Sequence, residues 1–576
     1  MLRRLGEVSS ISTALLMSQK KQTLHAMKNA ISLLFLVMLA CNYEQQPKTI
    51  IAPWVVYDES EEITKNADNE SIRLRYKLIQ SRVSDKNELW LNIAHQISDF
   101  SEEDYQTLQP LIFEQDIPTI QNYIKNGKLT YEALTKWYLY RIVKFENNKD
   151  TYLNNIISIN PESVNEARKK DQNKSIGDHP IYGIPILLKD NINCEGLPTT
   201  AGTHLLRNNH AADAFIVERI KAKGGIILGK ANLSEWANFL CVECPNGYSA
   251  VGGQTLNPYG RKIFDTGGSS SGSGSAIAAN YAVAAVGTET SGSILSPSSS
   301  NSIVGLKPTT GLLSRSGIVP LSSTLDTPGP MTRNVTDNAI FISAMVGKDA
   351  ADVATNNSPE TKKEYWQQLK DYTIEGIRFG VFKPFLEDSI YQLNVERIVA
   401  MGGIAIEFEP SEKDFDDFIT LLNADMGRDL PLYLEQYASE EILLRSVSDV
   451  MDYNMQDSLI KIPYGQGRLE GIVDTDISDE ELAQIRIKLR NSGISFFEDA
   501  MKEHDLDLVI SINNWNASQA AAANYPCLTV PMGYRETGQP VGITFISRPF
   551  EEDMLLKIGY AFEQHTKARI SPIEYE

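Results

Sequence analysis

The clearest pattern along the chain is a set of short apolar runs, each closed by glycine, proline or a polar turn, with helix-spaced stretches between them. Ile184-Pro185-Ile186-Leu187-Leu188 leads straight into Lys189-Asp190-Asn191, so a buried strand is expected to end at that lysine. Further strands are predicted at 226–228, 282–286, 377–382, 404–408, 508–512, 528–531 and 541–547. Residues 213–224 read as a helix with Asp213 as N-cap, Ile216 and Ile220 on one face and glycine at its end. Leu89, Ile93 and Ile97, and Leu134, Trp137, Tyr138 and Ile142, recur at helical spacing between residues 87 and 145. A closing helix is predicted over 551–568, with Met554, Leu555, Ile558 and Phe562 on one face. Helices alternating with strands predict an α/β fold, its central sheet covered by helices on both faces.

One segment departs from this rhythm. Asp265 to Pro297 reads DTGGSSSGSGSAIAANYAVAAVGTETSGSILSP, two serine-bearing loops around a helical run (275–280) and a strand (282–286), the second loop spanning 287–294. Glycine and serine clusters are usually linkers, but a linker does not enclose an apolar core element without polar dilution. A serine nucleophile needs a base, and no histidine lies within forty residues of Ser293, although a triad can be assembled from distant residues. Lys189 is the alternative. Burial disfavours an ammonium and would free a neutral amine, whereas a strand end that reaches solvent would leave an ordinary charged lysine. From the residues alone both readings stand.

Three segments resemble the motifs of the amidase signature family. Gly183 to Asp190 is similar to its G-x-P-x-x-x-K-D motif, Gly267 to Ser273 to its Gly-Gly-Ser-Ser box, and Gly287 to Ile294 to its G-T-[DE]-x-x-G-S-I loop. Their order matches, and Ser269 and Ser293 stand 24 positions apart, as in the family. Val304 to Thr309 and Asp326 to Met331 continue the likeness, which runs from about Leu111 to Ile573. The resemblance implies one large domain with a mixed central sheet, Ser293 as nucleophile, Ser269 as bridging serine after a cis Gly268–Ser269 bond, and Lys189 as base. It also implies an oxyanion hole from the N–H groups of Thr290, Ser291, Gly292 and Ser293, with Ser270 and Asp326 supporting the loops. No metal or organic cofactor is implied.

Within the family the chain departs from the broad pattern. Ser291-Gly292 replaces two glycines before the nucleophile, and Leu295 stands where arginine is common. These departures, with Glu289 and the segments 229–238 and 252–259, resemble the branch of bacterial peptide amidases, which remove ammonia from a C-terminal carboxamide. The segment 414–499 resembles the family's variable insertion, which shapes the substrate funnel. Alternatives of other kinds are a fatty-acid or aryl amide hydrolase and a noncatalytic binding lipoprotein. A subunit that supplies ammonia for tRNA charging fits poorly with a secreted chain.

Secretion is read from the N-terminus. Met27-Lys28 precedes an apolar run over 30–40, too short to span a bilayer, and then Cys41. Ala40-Cys41 resembles a lipoprotein cleavage site, so residues 1–40 are expected to be upstream residues plus a signal peptide. Cys41 would carry the lipid in the bacterial cell envelope, residues 41–85 would be a polar tether, and residues 86–576 the amidase domain. Without residues 1–40 the chain has 73 acidic and 49 basic residues, a net charge of −24. That charge opposes nucleic acid and anionic lipid surfaces as partners and suits a catalytic body on a tether, the membrane being reached only through the anchor, while the family resemblance implies a small-molecule or peptide amide as substrate. Cys241 and Cys244 form a C-x-x-C without a second ligand pair, and unpaired packing cysteines are expected there. Cys194 has no histidine beside it, and His204 and His210 read as surface or structural residues.

Overall fold

The apolar runs pair into one sheet. In the computed structural model, which describes residues 15–25, 27–29, 47–173, 179–359 and 364–576, eleven strands form it: β1 (Ile156–Ile159), β2 (Pro185–Lys189), β3 (Ile226–Ala231), β4 (Ala284–Glu289), β5 (Val304–Lys307), β6 (Thr327–Thr332), β7 (Arg378–Phe382), β8 (Ile404–Phe408), β9 (Leu508–Ile512), β10 (Cys527–Tyr534) and β11 (Pro540–Ile546). Their spatial order is β1-β3-β2-β4-β6-β5-β10-β11-β9-β7-β8. The sheet is mixed: β2 runs parallel to β3 and β4, and β7 parallel to β8 and β9, while the other neighbours are antiparallel. Central strands such as β2, β3 and β4 are buried along their whole length, which explains why they read as continuous apolar runs.

Three strands escaped the hydrophobic pattern. β1 is only four residues long, and β5 carries Gly305. β6 contains Pro328 and Pro330, each lacking a ladder donor, yet it pairs with β4 from Ala284↔Thr332 to Glu289↔Thr327. That pairing also extends β4 to Glu289, so residues 287–289 belong to the strand and not to the loop expected there. The helical run begins earlier than expected and spans Ser271–Ala278, packed on β2 and β4.

Asp213 does not cap a helix. The helix spans Phe215–Ala222, and the Asp213 carboxylate instead pairs with Lys221 at 2.8 Å and accepts from the Glu195 N–H. The expected glycine stop is present, with Gly224 at φ +88°. The closing helix spans Glu552–Thr566.

The domain body begins at Ile51, not at residue 86. Residues 51–85 are polar in composition but packed: Trp54 meets Tyr57 and Tyr152 edge-on, and Ile79 has no exposed surface. Buried Glu59 accepts from the Ile79 and Gln80 N–H groups and from the Gln80 side chain, and pairs with Arg82 at 3.0 Å. Average polarity misread this segment because a few aromatic anchors and one fully bonded carboxylate suffice to dock it. Residues 15–25 are helical and exposed. Cys41 and the apolar run 30–40 lie outside the described residues.

The insertion is helical, as Phe418–Gln436, Val447–Met455, Ser458–Lys461, Gly467–Val473 and Asp479–Glu503. Its apolar faces form a core of their own with Trp236, Phe239, Leu321 and Leu325. Cys241 and Cys244, expected to be unpaired, belong to this core and are joined in a disulfide. Their Cα atoms lie 5.6 Å apart, inside the bridgeable range, so three positions of separation suffice for a bridge in this turn.

Candidate active site

Strand β2 delivers Lys189 into the interior with no exposed surface. The adjacent carboxylate does not serve it: Asp190 pairs with Lys230 of β3 at 3.0 Å. Nζ of Lys189 lies instead 2.8 Å from Ser269 Oγ, 2.8 Å from Thr288 Oγ1 and 3.1 Å from Thr288 O. Burial among neutral oxygens draws the amine down from 10.5 to about 7, against the opposing pull of Asp326 and Glu289. The alternative of a solvated strand-end lysine is thereby excluded.

Ser269 follows a cis Gly268–Ser269 peptide and is fully buried. Glycine is required beside it because a Cβ on Gly267 (φ +70°) would lie 2.7 Å from the Pro297 backbone. The loop is held from two sides. Ser234 N–H donates to Ser269 O at 3.0 Å, and Ser270 N–H donates to Ser293 O at 3.1 Å, tying the two serine loops together. The Ser270 hydroxyl donates to Thr288 O at 3.0 Å and accepts from Thr288 N–H at 3.2 Å, so it bridges the first loop to β4.

Ser293 lies just past the end of β4, on a turn gathered by one carboxylate. Buried Glu289 accepts from Gly292 N–H at 2.7 Å through Oε1, and from Ile294 N–H at 2.7 Å and Leu295 N–H at 3.0 Å through Oε2. Burial raises its pKa, with Lys307 acting against the rise. Gly292 has φ +90°, and a Cβ there would meet Asn514 Nδ2 at 2.8 Å. The Gly292 N–H is therefore occupied by Glu289, which removes it from the expected oxyanion donors. The N–H groups of Ser291 and Ser293 donate to no described residue, nor does the Ser293 hydroxyl form a hydrogen bond with one.

The remaining predicted residues divide between support and wall. Thr290 Oγ1 donates to Asp326 Oδ1 at 2.5 Å, while Asp326 Oδ2 accepts from the Leu321 and Ser322 N–H groups. Asp326 thus pins Thr290 to the 321–322 loop. Ser291 Oγ meets Ser518 Oγ at 2.9 Å, so the segment 514–518 forms part of the rim. Sequence reasoning passed over Thr288, Asn191, Asn514 and Ser518, and it used Glu289 only as a branch marker. The threonine inside the G-T-E stretch was a signal that could have been used. Cys194 is buried, its thiol pushed up to about 11 by burial, and His204 bonds Tyr453 Oη at 2.6 Å through Nδ1. Among the described residues, no cluster of three or more His, Cys, Asp or Glu side chains is placed to ligate a metal ion.

The arrangement can supply a desolvated amine, a buried relay hydroxyl and a second serine beside unengaged backbone donors. Known proteins resemble the chain over most of its length. The Amidase family model matches residues 133–403. The crystal structure of an amidase family protein from Bacillus anthracis superposes with a TM-score of 0.82 at 36% identity, covering 86% of this chain and 99% of that one. Native peptide amidase from Stenotrophomonas maltophilia gives a TM-score of 0.76 at 35% identity, over 80% and 98% of the two chains. A protein from Arabidopsis thaliana named a probable amidase is 34% identical over 478 residues, 80% of this chain and 92% of that protein. The chain belongs to the amidase signature family, and it is an amidase that hydrolyses amide C–N bonds.

Proposed function

We propose that this amidase releases ammonia from C-terminal carboxamides of peptides through an acyl-enzyme on Ser293, activated by Ser269 and Lys189. The observation that carries the reading is the Lys189 amine, fully buried, drawn down to about 7 and 2.8 Å from Ser269 Oγ. A neutral amine has two N–H donors and one lone pair. Thr288 O can only accept and Thr288 Oγ1 lies as close as Ser269, so two N–H groups directed at Thr288 leave the lone pair for the Ser269 hydroxyl proton.

In the forward step Ser293 Oγ attacks the carboxamide carbon as its proton passes to Ser269 and that of Ser269 to Lys189. The oxyanion that forms is stabilised by the N–H groups of Ser291 and Ser293. The relay then runs backward, Ser269 protonates the departing nitrogen, and ammonia leaves an ester on Ser293. Water, deprotonated through the same relay, attacks that ester and releases the carboxylate with Ser293 restored. Support for a peptide substrate comes from the likeness to the Stenotrophomonas enzyme, also solved with the competitive inhibitor chymostatin. The leader read from residues 27–41 would hold this chemistry on the cell envelope through a lipid on Cys41.

The test is ammonia release by the fragment 42–576 from capped peptide carboxamides and from simple fatty and aryl amides, with Ser293→Ala as control. Peptide carboxamides are expected to be the better substrates, with release abolished in the control. Release confined to fatty or aryl amides would overturn the peptide reading, and release that persists in the control would overturn the assignment of the nucleophile.

A further inference from the structure

Behind Thr288 and Thr290 lies a cavity of about 230 Å³. It is smaller than the ~300–1,000 Å³ of sites that enclose a drug-sized ligand, so it suits a side chain or end group. Its far wall is one face of the helix Phe418–Gln436, which presents Asp429, Leu432, Tyr433 and Gln436 at i, i+3, i+4 and i+7. Ile318, Val319 and Leu321 supply apolar surface between that helix and the β4 end.

The charges around this cavity do not balance. Its acidic and basic lining is Arg315, Asp326, Asp352 and Asp429. Arg315 is already bound to Asp352 through Nε at 2.8 Å and Nη2 at 2.5 Å. Asp326 is filled by three donors, Thr290 Oγ1 and the Leu321 and Ser322 N–H groups. Asp429, half-buried, accepts one bond, from Ser323 N–H to Oδ2 at 2.6 Å, and no ion pair reaches it among the described residues. Burial, with Asp425 and Asp326 nearby, pushes its carboxyl up to about 6, a cost that a cation would relieve. Independently, Asn191 is 3% exposed and lines the same cavity, yet its Oδ1 has no donor, because its Nδ2 alone is used, toward Thr288 Oγ1 at 3.0 Å and Val319 O at 3.5 Å. An apolar throat, an unpaired carboxylate and an orphan carboxamide oxygen ask for an alkyl chain ending in N–H donors.

We propose that this cavity is a subsite for an alkylammonium group on the acyl part of the substrate, with Asp429 as its counter-charge and Asn191 Oδ1 as a second acceptor. It rests on the amide-hydrolysis reading and narrows the substrate to basic carboxamides. The ammonium comes either from a lysine-like side chain or from a free α-amine, and the substrates can separate the two.

The experiment measures kcat/KM for ammonia release at pH 7, where an α-amine is mostly protonated, from acetyl-lysinamide, acetyl-norleucinamide and uncapped norleucinamide. Acetyl-norleucinamide lacks any ammonium, and each of the others adds one at a different place. The expected result is a preference of about tenfold or more for one ammonium-bearing compound over the neutral one, identifying the source. Asp429→Asn, which keeps an acceptor for the Ser323 N–H, is expected to bring the ratio to within about twofold, and Asp429→Lys to invert it. Equal values for all three compounds with Ser293-dependent release would overturn the subsite and leave amide hydrolysis standing. A preference that persists in both Asp429 variants would also overturn it. Absence of Ser293-dependent release from every amide, including the peptide carboxamides above, would overturn the hydrolysis reading itself and the subsite with it.

Discussion

Two lysines one strand apart are buried to the same degree and do opposite things. Lys230 on β3 pairs with Asp190 at 3.0 Å and bonds Thr199 Oγ1 at 2.9 Å, a charged pair sealed under the sheet edge of the site. Lys189 on β2 has only a serine hydroxyl and the two oxygens of Thr288. The two nearest influences of opposite sign, Asp326 and Glu289, are both engaged, one with Thr290 and the 321–322 loop, the other with three loop amides. Burial alone therefore does not make a lysine basic catalyst or structural cation. Whether a counter-charge is supplied or withheld decides it.

The largest expected effects come from removing each amine. Lys189→Ala is expected to lower kcat by about 10²–10⁴-fold with the fold retained, the range that general-base catalysis contributes. Wild-type turnover in that variant would remove lysine from the mechanism. In stability the order reverses. Lys230→Met strands Asp190 as a buried carboxylate without its cation and is expected to cost about 3–5 kcal/mol. Lys189→Met relieves a site that disfavours charge, and its melting temperature is expected to rise. Equal losses in the two melting curves would erase the distinction between the sites.

The pH dependence follows from the same contrast. Lys189 is about 7 in the folded chain and 10.5 when unfolded, so the unfolded chain binds more protons between those values and stability rises with pH across them. The penalty for holding this lysine is complete below about pH 7 and gone above about 10.5, so the stabilisation by Lys189→Met should shrink steadily from pH 7 to pH 10. Activity requires the neutral amine. It should fall about tenfold per unit below pH 7 and level off above it. A profile flat from pH 5 to 9 in kcat/KM, with the protein still folded, would contradict a base of this kind.

Much of this was legible in the chain because it is local. A strand that is buried on both faces must be apolar, and Ile186-Leu187-Leu188 announces both β2 and the burial of the residue that ends it. The Gly267-Gly268 pair announces a turn too tight for side chains, and Gly267 against Pro297 shows why. What the sequence hid is long-range. Asp213 looked like a cap until Lys221 and Glu195 claimed its carboxylate. Thr288 looked like a spacer, since its role depends on Lys189 arriving from 99 positions away. β6 was hidden by its prolines, and its pairing with β4 is what moved Gly287 to Glu289 out of the loop. The segment 51–85 was misjudged by average polarity, because docking through Trp54 and Tyr57 depends on Tyr152, distant in sequence, while Glu59 ties the segment to itself through Ile79, Gln80 and Arg82.

The smallest of the expected effects probes what the withheld carboxylate does for the loop. Glu289 receives three N–H groups on two oxygens, Gly292 on one and Ile294 with Leu295 on the other. Glu289→Gln keeps the size but has one carbonyl oxygen. The two N–H groups of Ile294 and Leu295 outweigh one, so the amide oxygen should stay with them and its NH₂ should face the Gly292 N–H. Two donors then oppose each other one residue before Ser293, at a cost of about 1–3 kcal/mol in loop order. The expected result is a drop in kcat of about tenfold with KM nearly unchanged, smaller than that of Lys189→Ala, together with a downward move of the pH midpoint of activity, because a charge that pulls the Lys189 amine up is lost. If Glu289→Gln moved the pH midpoint but left kcat on the alkaline plateau unchanged, Glu289 would be acting on Lys189 as a charge alone and not on the loop as a clamp.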